Sequence, residues 1–210
     1  MTRTTVPTGL ERFAAVSRET TDRLNIYARL VAKWNGAINI LGKSTEDEIW
    51  SRHFLESAAV FHAARCNQGR WLDLGSGGGF PGAVVAILAA DVAPGLSVTC
   101  IEADIRKCAF LRTLSRETGI GFGVLSRRIE DVPPQKADMI SARALAPLHR
   151  LLEHCDRHLA PGGRAVFPKG ENWESEVSKA LETWKFSVEK IPSPTKPGAV
   201  ILTVGDIVRA

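Results

Sequence analysis

The stretch Trp71-Leu72-Asp73-Leu74-Gly75-Ser76-Gly77-Gly78-Gly79-Phe80-Pro81-Gly82 decides how the remainder of this 210-residue chain is read. Trp71–Leu74 is apolar enough for a buried strand, the glycines that follow make a turn, and Pro81 has the fixed φ that suits the first turn of a helix. Strand, glycine turn and helix start stand in the order found where open α/β sheets bind ligands, beyond the carboxyl ends of their strands. Gly77, Gly79 and Gly82 satisfy the dinucleotide pattern G-x-G-x-x-G, a weak signal because glycine-rich loops meet it by chance. A turn that only shapes the chain is the plainer alternative.

Asp73 adds what the glycines lack. Its place two residues before Gly75 gives D-x-G-x-G-x-G, with an acid inside the motif. A carboxylate there repels a pyrophosphate and attracts the ammonium and sulfonium of S-adenosyl-L-methionine, so the pattern favours that cofactor over a dinucleotide. Glu102 ends the next apolar run, Val98–Glu102, where a carboxylate can accept from both ribose hydroxyls of either nucleoside. After the following run, Ile129 beside Glu130 can flank an adenine and accept from its amino group, although a solvated charge run reads equally well.

Outward from the turn, short apolar runs alternate with helical spacing. Strands are expected at Trp71–Leu74, Val98–Glu102, Phe122–Leu125, Met139–Ser141 and Arg164–Phe167. Helices are expected near Pro81–Ala90, Arg106–Thr118, Leu148–Leu159 and Trp173–Trp184. Such alternation predicts a parallel sheet covered on both faces with right-handed crossovers. Phe186–Ile191 and Ala199–Val204, joined by the turn-rich Pro192–Gly198, predict a terminal antiparallel hairpin. Before the turn, Leu24, Tyr27, Val31, Trp34 and Ile38 follow one helix face, and Trp50, Phe54, Ala58 and Phe61 another after the acidic Glu46, Asp47 and Glu48. The fold class expected is α/β: a Rossmann-like class I methyltransferase with a seven-stranded, mostly parallel sheet. Residues 1–65 form its helical cap and residues 66–210 its cofactor-binding domain, in one compact unit.

Composition is that of an ordinary globular domain, with 44% hydrophobic and 24% charged residues. The net charge of +4 is compatible with a polyanionic partner but too modest to establish one. Four cysteines form no C-x-x-C pair and suit reduced thiols, and neither a leader nor an uncharged run of 18 apolar residues is found, so a cytoplasmic protein is expected, with no membrane partner.

The lip after the fourth strand, Ser141-Ala142-Arg143-Ala144-Leu145-Ala146-Pro147, lacks the Asn/Asp-Pro-Pro-aromatic arrangement suited to exocyclic amines. Val132-Pro133-Pro134-Gln135 precedes that strand, and no cysteine at the lip offers covalent attack on a pyrimidine. The acceptor therefore needs no activation. Guanine N7 meets this requirement, since its lone pair attacks a methyl directly and carries no proton. Arg143 suits guanine O6, the cofactor carboxylate or a phosphate, and Lys169 beside Gly170 offers a further phosphate or base contact; a structural ion pair and simple exposure are the competing readings. Lys43, Arg52, Arg127 and Arg128 are candidate phosphate contacts. His53 is either a helix-edge histidine or a contact to RNA or cofactor. His154 and His158 stand four apart, but the apolar stripe Leu148, Leu151, Leu152, Cys155, Leu159 accounts for their helix, and no metal is expected.

With these residues in view the chain resembles the glucose-inhibited division protein B family, the bacterial 16S ribosomal RNA guanine-N7 methyltransferases. The resemblance runs from about Tyr27 onward. It rests on Trp34-Asn35 with Asn39-Ile40, on Arg52-His53-Phe54-Leu55-Glu56-Ser57, on Asp73 to Gly82, and on Glu102-Ala103 with Arg106-Lys107 and Phe110-Leu111. Arg143-Ala144-Leu145-Ala146 and Lys169-Gly170 complete it. The resemblance implies S-adenosyl-L-methionine held by Gly75, Phe80, Ile129, Glu130 and Arg143, alongside the Asp73, Gly77 and Glu102 read above. It also implies 7-methylguanosine as product, made in 16S rRNA within a small-subunit or assembly particle; a monomer is expected. Ala142 stands where the family commonly has serine and Leu145 where it commonly has phenylalanine, which leaves the geometry of that lip open. Two rivals remain: a methyltransferase for a small molecule or protein, and a non-enzymatic RNA-binding factor on the same fold.

Overall fold

The computed structural model describes residues 9–14, 16–42 and 48–210. Seven strands form one sheet: β1 (Gln68–Leu74), β2 (Gly95–Glu102), β3 (Gly123–Ser126), β4 (Ala137–Ala142), β5 (Leu159–Lys169), β6 (Trp184–Pro192) and β7 (Val200–Arg209), in the order β3-β2-β1-β4-β5-β7-β6. The first five are parallel, and β7 runs antiparallel to both β5 and β6. The strand order reverses between β1 and β4, which opens a crevice at their carboxyl ends, the switch point at which such sheets bind ligands.

Alternation along β1 divides the core. Trp71 packs with α1 (Arg18–Ile38), α2 (Leu55–Ala64), α3 (Gly82–Val92) and α4 (Ile105–Thr118) on one face. Leu72 and Leu74 pack with α5 (Leu148–His158) and α6 (Trp173–Leu181) on the other. The strands are longer than their apolar runs, because ladder hydrogen bonds continue through polar residues that periodicity passes over. Leu159, expected to end the helix before the fifth strand, instead opens β5, and Trp184 is buried at the start of β6 rather than closing a helix.

In α1, Ser17 caps the helix by accepting from the Thr20 amide at 3.0 Å, and both hydroxyls donate to Asp91 at the end of α3. Leu24, Tyr27, Val31 and Ile38 of the predicted stripe are buried. The second stripe is split: a π-helical turn at Ile49–Phe54 precedes α2, which is buried nearly all round between the sheet and α3. Glu46 and Asp47 of its expected acidic start lie outside the described residues.

Candidate active site

Beneath the glycine turn lies a buried polar chain. In the register of β1 and β4, Asp73 stands opposite Ser141. The Trp71 indole donates to Ser141 Oγ at 2.8 Å, and Ser141 Oγ donates to Asp73 Oδ1 at 2.6 Å. Asp73 has no solvent exposure, and burial pushes its carboxyl up to about 6 against the hydrogen bond from Ser141. Among the described residues its Oδ2 has no hydrogen-bond partner. Only glycine fits above it, since a Cβ at Gly82 would lie 2.7 Å from that oxygen. A buried carboxylate whose Oδ2 faces the Gly82 backbone fits a cationic ligand and disfavours a phosphate.

The turn is held from both sides. Tyr27 donates to the Gly78 carbonyl and stacks on Phe80, with ring centroids 5.1 Å apart and planes at 14°. From β2, Glu102 accepts from the Gly77 amide at 2.7 Å and from the Asp104 amide at 2.8 Å. Gly77 has φ of 57°, and a Cβ there would meet nothing nearer than 3.9 Å, so its face is open for a ligand. Leu145 rests against Gly75.

Beyond β3, Arg127 and Arg128 are exposed, as is Glu130, while Ile129 is buried. This turn is braced by α5. His158 Nε2 lies 3.3 Å from the Ile129 carbonyl, Arg157 donates to the Val132 carbonyl at 3.1 Å, and His154 Nε2 is 3.9 Å from Glu130. The two histidines spaced four apart thus position the backbone beside the crest, and among the described residues no group of three potential ligands forms a metal site.

On the β4 side Arg143 links the two regions. Its Nη1 lies 2.7 Å from His53 Nδ1 and 3.4 Å from Glu56 Oε2, and its guanidinium sits 4.9 Å from the centre of the Phe80 ring. Arginine can only donate, so His53 Nδ1 accepts and the ring proton belongs on Nε2. Burial, with Arg143 and Arg52 adding to it, pulls His53 down to about 3, so it is neutral at physiological pH. Burial lowers the Arg143 guanidinium from its usual value, opposed by Glu56.

A cleft of about 1240 Å³ opens here, over the ends of β4 and β5 and against the β6–β7 turn at Pro194–Lys196. Its lining includes Arg52, Glu56, Arg143, Leu145, Lys169 and Glu176. Lys169 is 8% exposed; its ammonium donates to the Ala146 carbonyl at 3.0 Å and to Glu176 Oε2 at 2.8 Å. It therefore fastens the lip to α6 rather than projecting outward. Arg52 is half exposed and pairs with Glu48 at 3.2 Å.

Asp73, Gly75, Gly77, Phe80 and Glu102 thus gather at one crest, with Ile129 and Glu130 on its far flank. His53, Arg143 and Lys169 gather at the adjoining lip. Arg127 and Arg128 stand outside both, on the rim after β3, and Lys43 lies outside the described residues. Phe80 is buried between Tyr27 and Arg143. Sequence reasoning missed Tyr27, Glu56, Ser141 and Glu176 as site residues, although Glu56 stood in a quoted motif and Ser141 directly opposite Asp73 in register.

The sequence model of one family, described as rRNA small subunit methyltransferase G, matches residues 20–197. The chain is 50% identical over 194 residues to Ribosomal RNA small subunit methyltransferase G of Ruegeria sp. (strain TM1040), covering 92% of this chain and 94% of that protein. It is 51% identical over 187 residues to the protein of the same name from Cereibacter sphaeroides (strain ATCC 17029), covering 89% and 91%. Among solved structures, a ribosomal protein L11 methylase from Lactobacillus delbrueckii subsp. bulgaricus is similar with a TM-score of 0.57 at 19% identity, over 73% of this chain and 77% of that one. M. jannaschii TYW2 in complex with AdoMet is similar with a TM-score of 0.56 at 16% identity, over 77% and 78%. These distant structures share the fold.

Proposed function

Because the chain belongs to the rRNA small subunit methyltransferase G family, we propose that it methylates N7 of a guanine in 16S rRNA with S-adenosyl-L-methionine as donor. The observation that carries this reading is the glycine turn over buried Asp73, with Glu102 at its tip and Arg143 at the adjoining lip. When bound, the cofactor supplies an electrophilic methyl group. The residues of this chain hold and align. Gly75 and Gly77 would let the backbone approach the donor, Asp73 supplies a buried carboxylate whose Oδ2 lies against Gly82, and Glu102 would read the ribose. Ile129 and Glu130 would flank the adenine.

The lip supports an acceptor that has no proton to lose. His53, the histidine beside Arg143, is neutral and holds its Nδ1 lone pair toward the guanidinium, so it is not free to act as a base. Cys100, on β2, is buried in the core, and burial pushes its thiol up, away from nucleophilic use. The Arg143 guanidinium is suited to guanine O6 or a phosphate, and the carboxylates beside it are engaged in ion pairs with Arg143 and Lys169, a frame that suits alignment catalysis at N7. Arg52, Arg127 and Arg128 are exposed cations at the rim, suited to RNA phosphates. A monomer acting in the cytoplasm on a small-subunit or assembly particle is the form we propose; among the described residues no helix is long and apolar enough to cross a membrane.

The test is mass spectrometry of 16S rRNA digests. Cells lacking the protein should lose one 7-methylguanosine, and purified protein with S-adenosyl-L-methionine should restore it to their small-subunit particles, less readily as salt rises. Unchanged digests would refute the proposal, and methylation of a small molecule or protein instead would favour the rival enzyme.

A further inference from the structure

Glu176 has a divided arrangement that the reading above does not use. Its Oε2 accepts from the Leu148 amide at 2.7 Å and from Lys169 at 2.8 Å, so one carboxylate oxygen is fixed at the start of α5. Lys169 in turn grips the Ala146 carbonyl of the lip. Among the described residues Oε1 has no hydrogen-bond partner, and the side chain, 28% exposed, lines the same cleft as Arg143. The result is an acceptor oxygen on a braced carboxylate, sharing one cavity with a guanidinium held by His53 and Glu56. At about 1240 Å³ the cleft exceeds the roughly 300–1,000 Å³ of a small-ligand pocket, leaving room for a base and part of its neighbours.

The polarity of this pair distinguishes the two purines. N7 is an acceptor in both, so attack by N7 alone selects neither. Guanine carries the O6 acceptor beside N7 and donors, N1–H and the N2 amine, on its Watson–Crick edge. Adenine reverses the signs, with the N6 amine beside N7 and the N1 acceptor on the far edge. A cation facing the N7 side and a carboxylate facing the other edge therefore match guanine twice and oppose adenine twice.

We propose that Glu176 reads the Watson–Crick edge of the acceptor guanine through Oε1, with Lys169 as the positioning residue that fixes it, and that this cleft is the acceptor-nucleotide site. The proposal rests on the guanine reading above. Glu176→Gln keeps an oxygen for Lys169 and the Leu148 amide but turns a donor toward the base. Its kcat/KM toward unmethylated small-subunit particles should fall about ten- to a hundredfold, the range set by loss of a paired base contact, while S-adenosylhomocysteine affinity stays within about twofold. A second measurement needs no variant. In NMR titrations of the protein loaded with S-adenosylhomocysteine, guanosine monophosphate should bind about tenfold more tightly than adenosine monophosphate, and Glu176→Gln should erase that preference. A structural role alone would not move the ratio of the two nucleotides. Wild-type protein that makes 7-methylguanosine yet binds both nucleotides equally, or a Glu176→Gln variant with wild-type kcat/KM, overturns this assignment and leaves the function standing. Failure of the wild-type protein to make 7-methylguanosine overturns both.

Discussion

Over β1–β3 the polar groups at the sheet edge are satisfied mainly by backbone and neutral partners: Glu102 by the Gly77 and Asp104 amides, Asp73 by Ser141, and the Gly78 carbonyl by Tyr27. Over β4 and β5 the same edge is built from ion pairs, Arg143 with Glu56 and Lys169 with Glu176, around an open cleft. The first region is shaped by what the chain cannot move, a glycine turn clamped between α1 and the sheet. The second is held by largely buried ion pairs that are braced by further contacts, Lys169 to the Ala146 carbonyl and Arg143 to His53. One region is a fixed backbone surface. The other lines an open cleft with paired charges.

Breaking the clamped region should have the largest effect. Tyr27→Ala removes a buried ring that stacks on Phe80 and the hydroxyl that holds the Gly78 carbonyl. Denaturant unfolding should report a loss of about 3–5 kcal/mol, and cofactor affinity should fall with it.

Asp73 gives the next effect, and its sign follows from burial. The carboxyl titrates at about 6 in the folded protein against 3.8 as the reference. Its protonated form therefore stabilises the fold below pH 3.8, and that stabilisation is lost as pH rises through about 6, by ~3 kcal/mol in all. Thermal melts between pH 4 and 8 should show wild type losing ground relative to Asp73→Asn over this window; parallel curves would contradict the burial argument.

The paired region should respond more weakly in stability and more strongly in turnover. Lys169→Met leaves the Glu176 carboxylate without its cation, at a cost of about 2 kcal/mol, below that of a fully buried pair because Glu176 is 28% exposed. Methylation of particles should drop while S-adenosylhomocysteine binding holds, which steady-state kinetics and calorimetry separate.

The same contrast explains what was legible in the sequence. The turn after β1 and the parallel strands were readable because their signals are local: short apolar runs, glycines and a proline in order. The terminal hairpin was equally plain from its two apolar runs and turn residues. Tyr27 was legible only as one member of a helical stripe, since its partner at Gly78 lies 51 residues away. The 90-residue separation of His53 from Arg143 hid their contact in the same way. Lys169 looked like an outward cation because nothing local reveals that Glu176, seven residues on and across the start of α6, captures it. His154 and His158 invited a metal reading from spacing alone, whereas their Nε2–H groups face the carboxylate of Glu130 and the carbonyl of Ile129 in the turn after β3.

The central claim is electrostatic, that a desolvated carboxylate under the glycine turn selects a cationic nucleoside donor. Isothermal titration calorimetry at pH 7.5 with S-adenosyl-L-methionine and with NAD tests it directly. The account predicts binding of S-adenosyl-L-methionine, weakened about tenfold or more by Asp73→Ala, and little or no heat from NAD. Tighter binding of NAD, or an Asp73→Ala protein that binds S-adenosyl-L-methionine as well as wild type does, would contradict it.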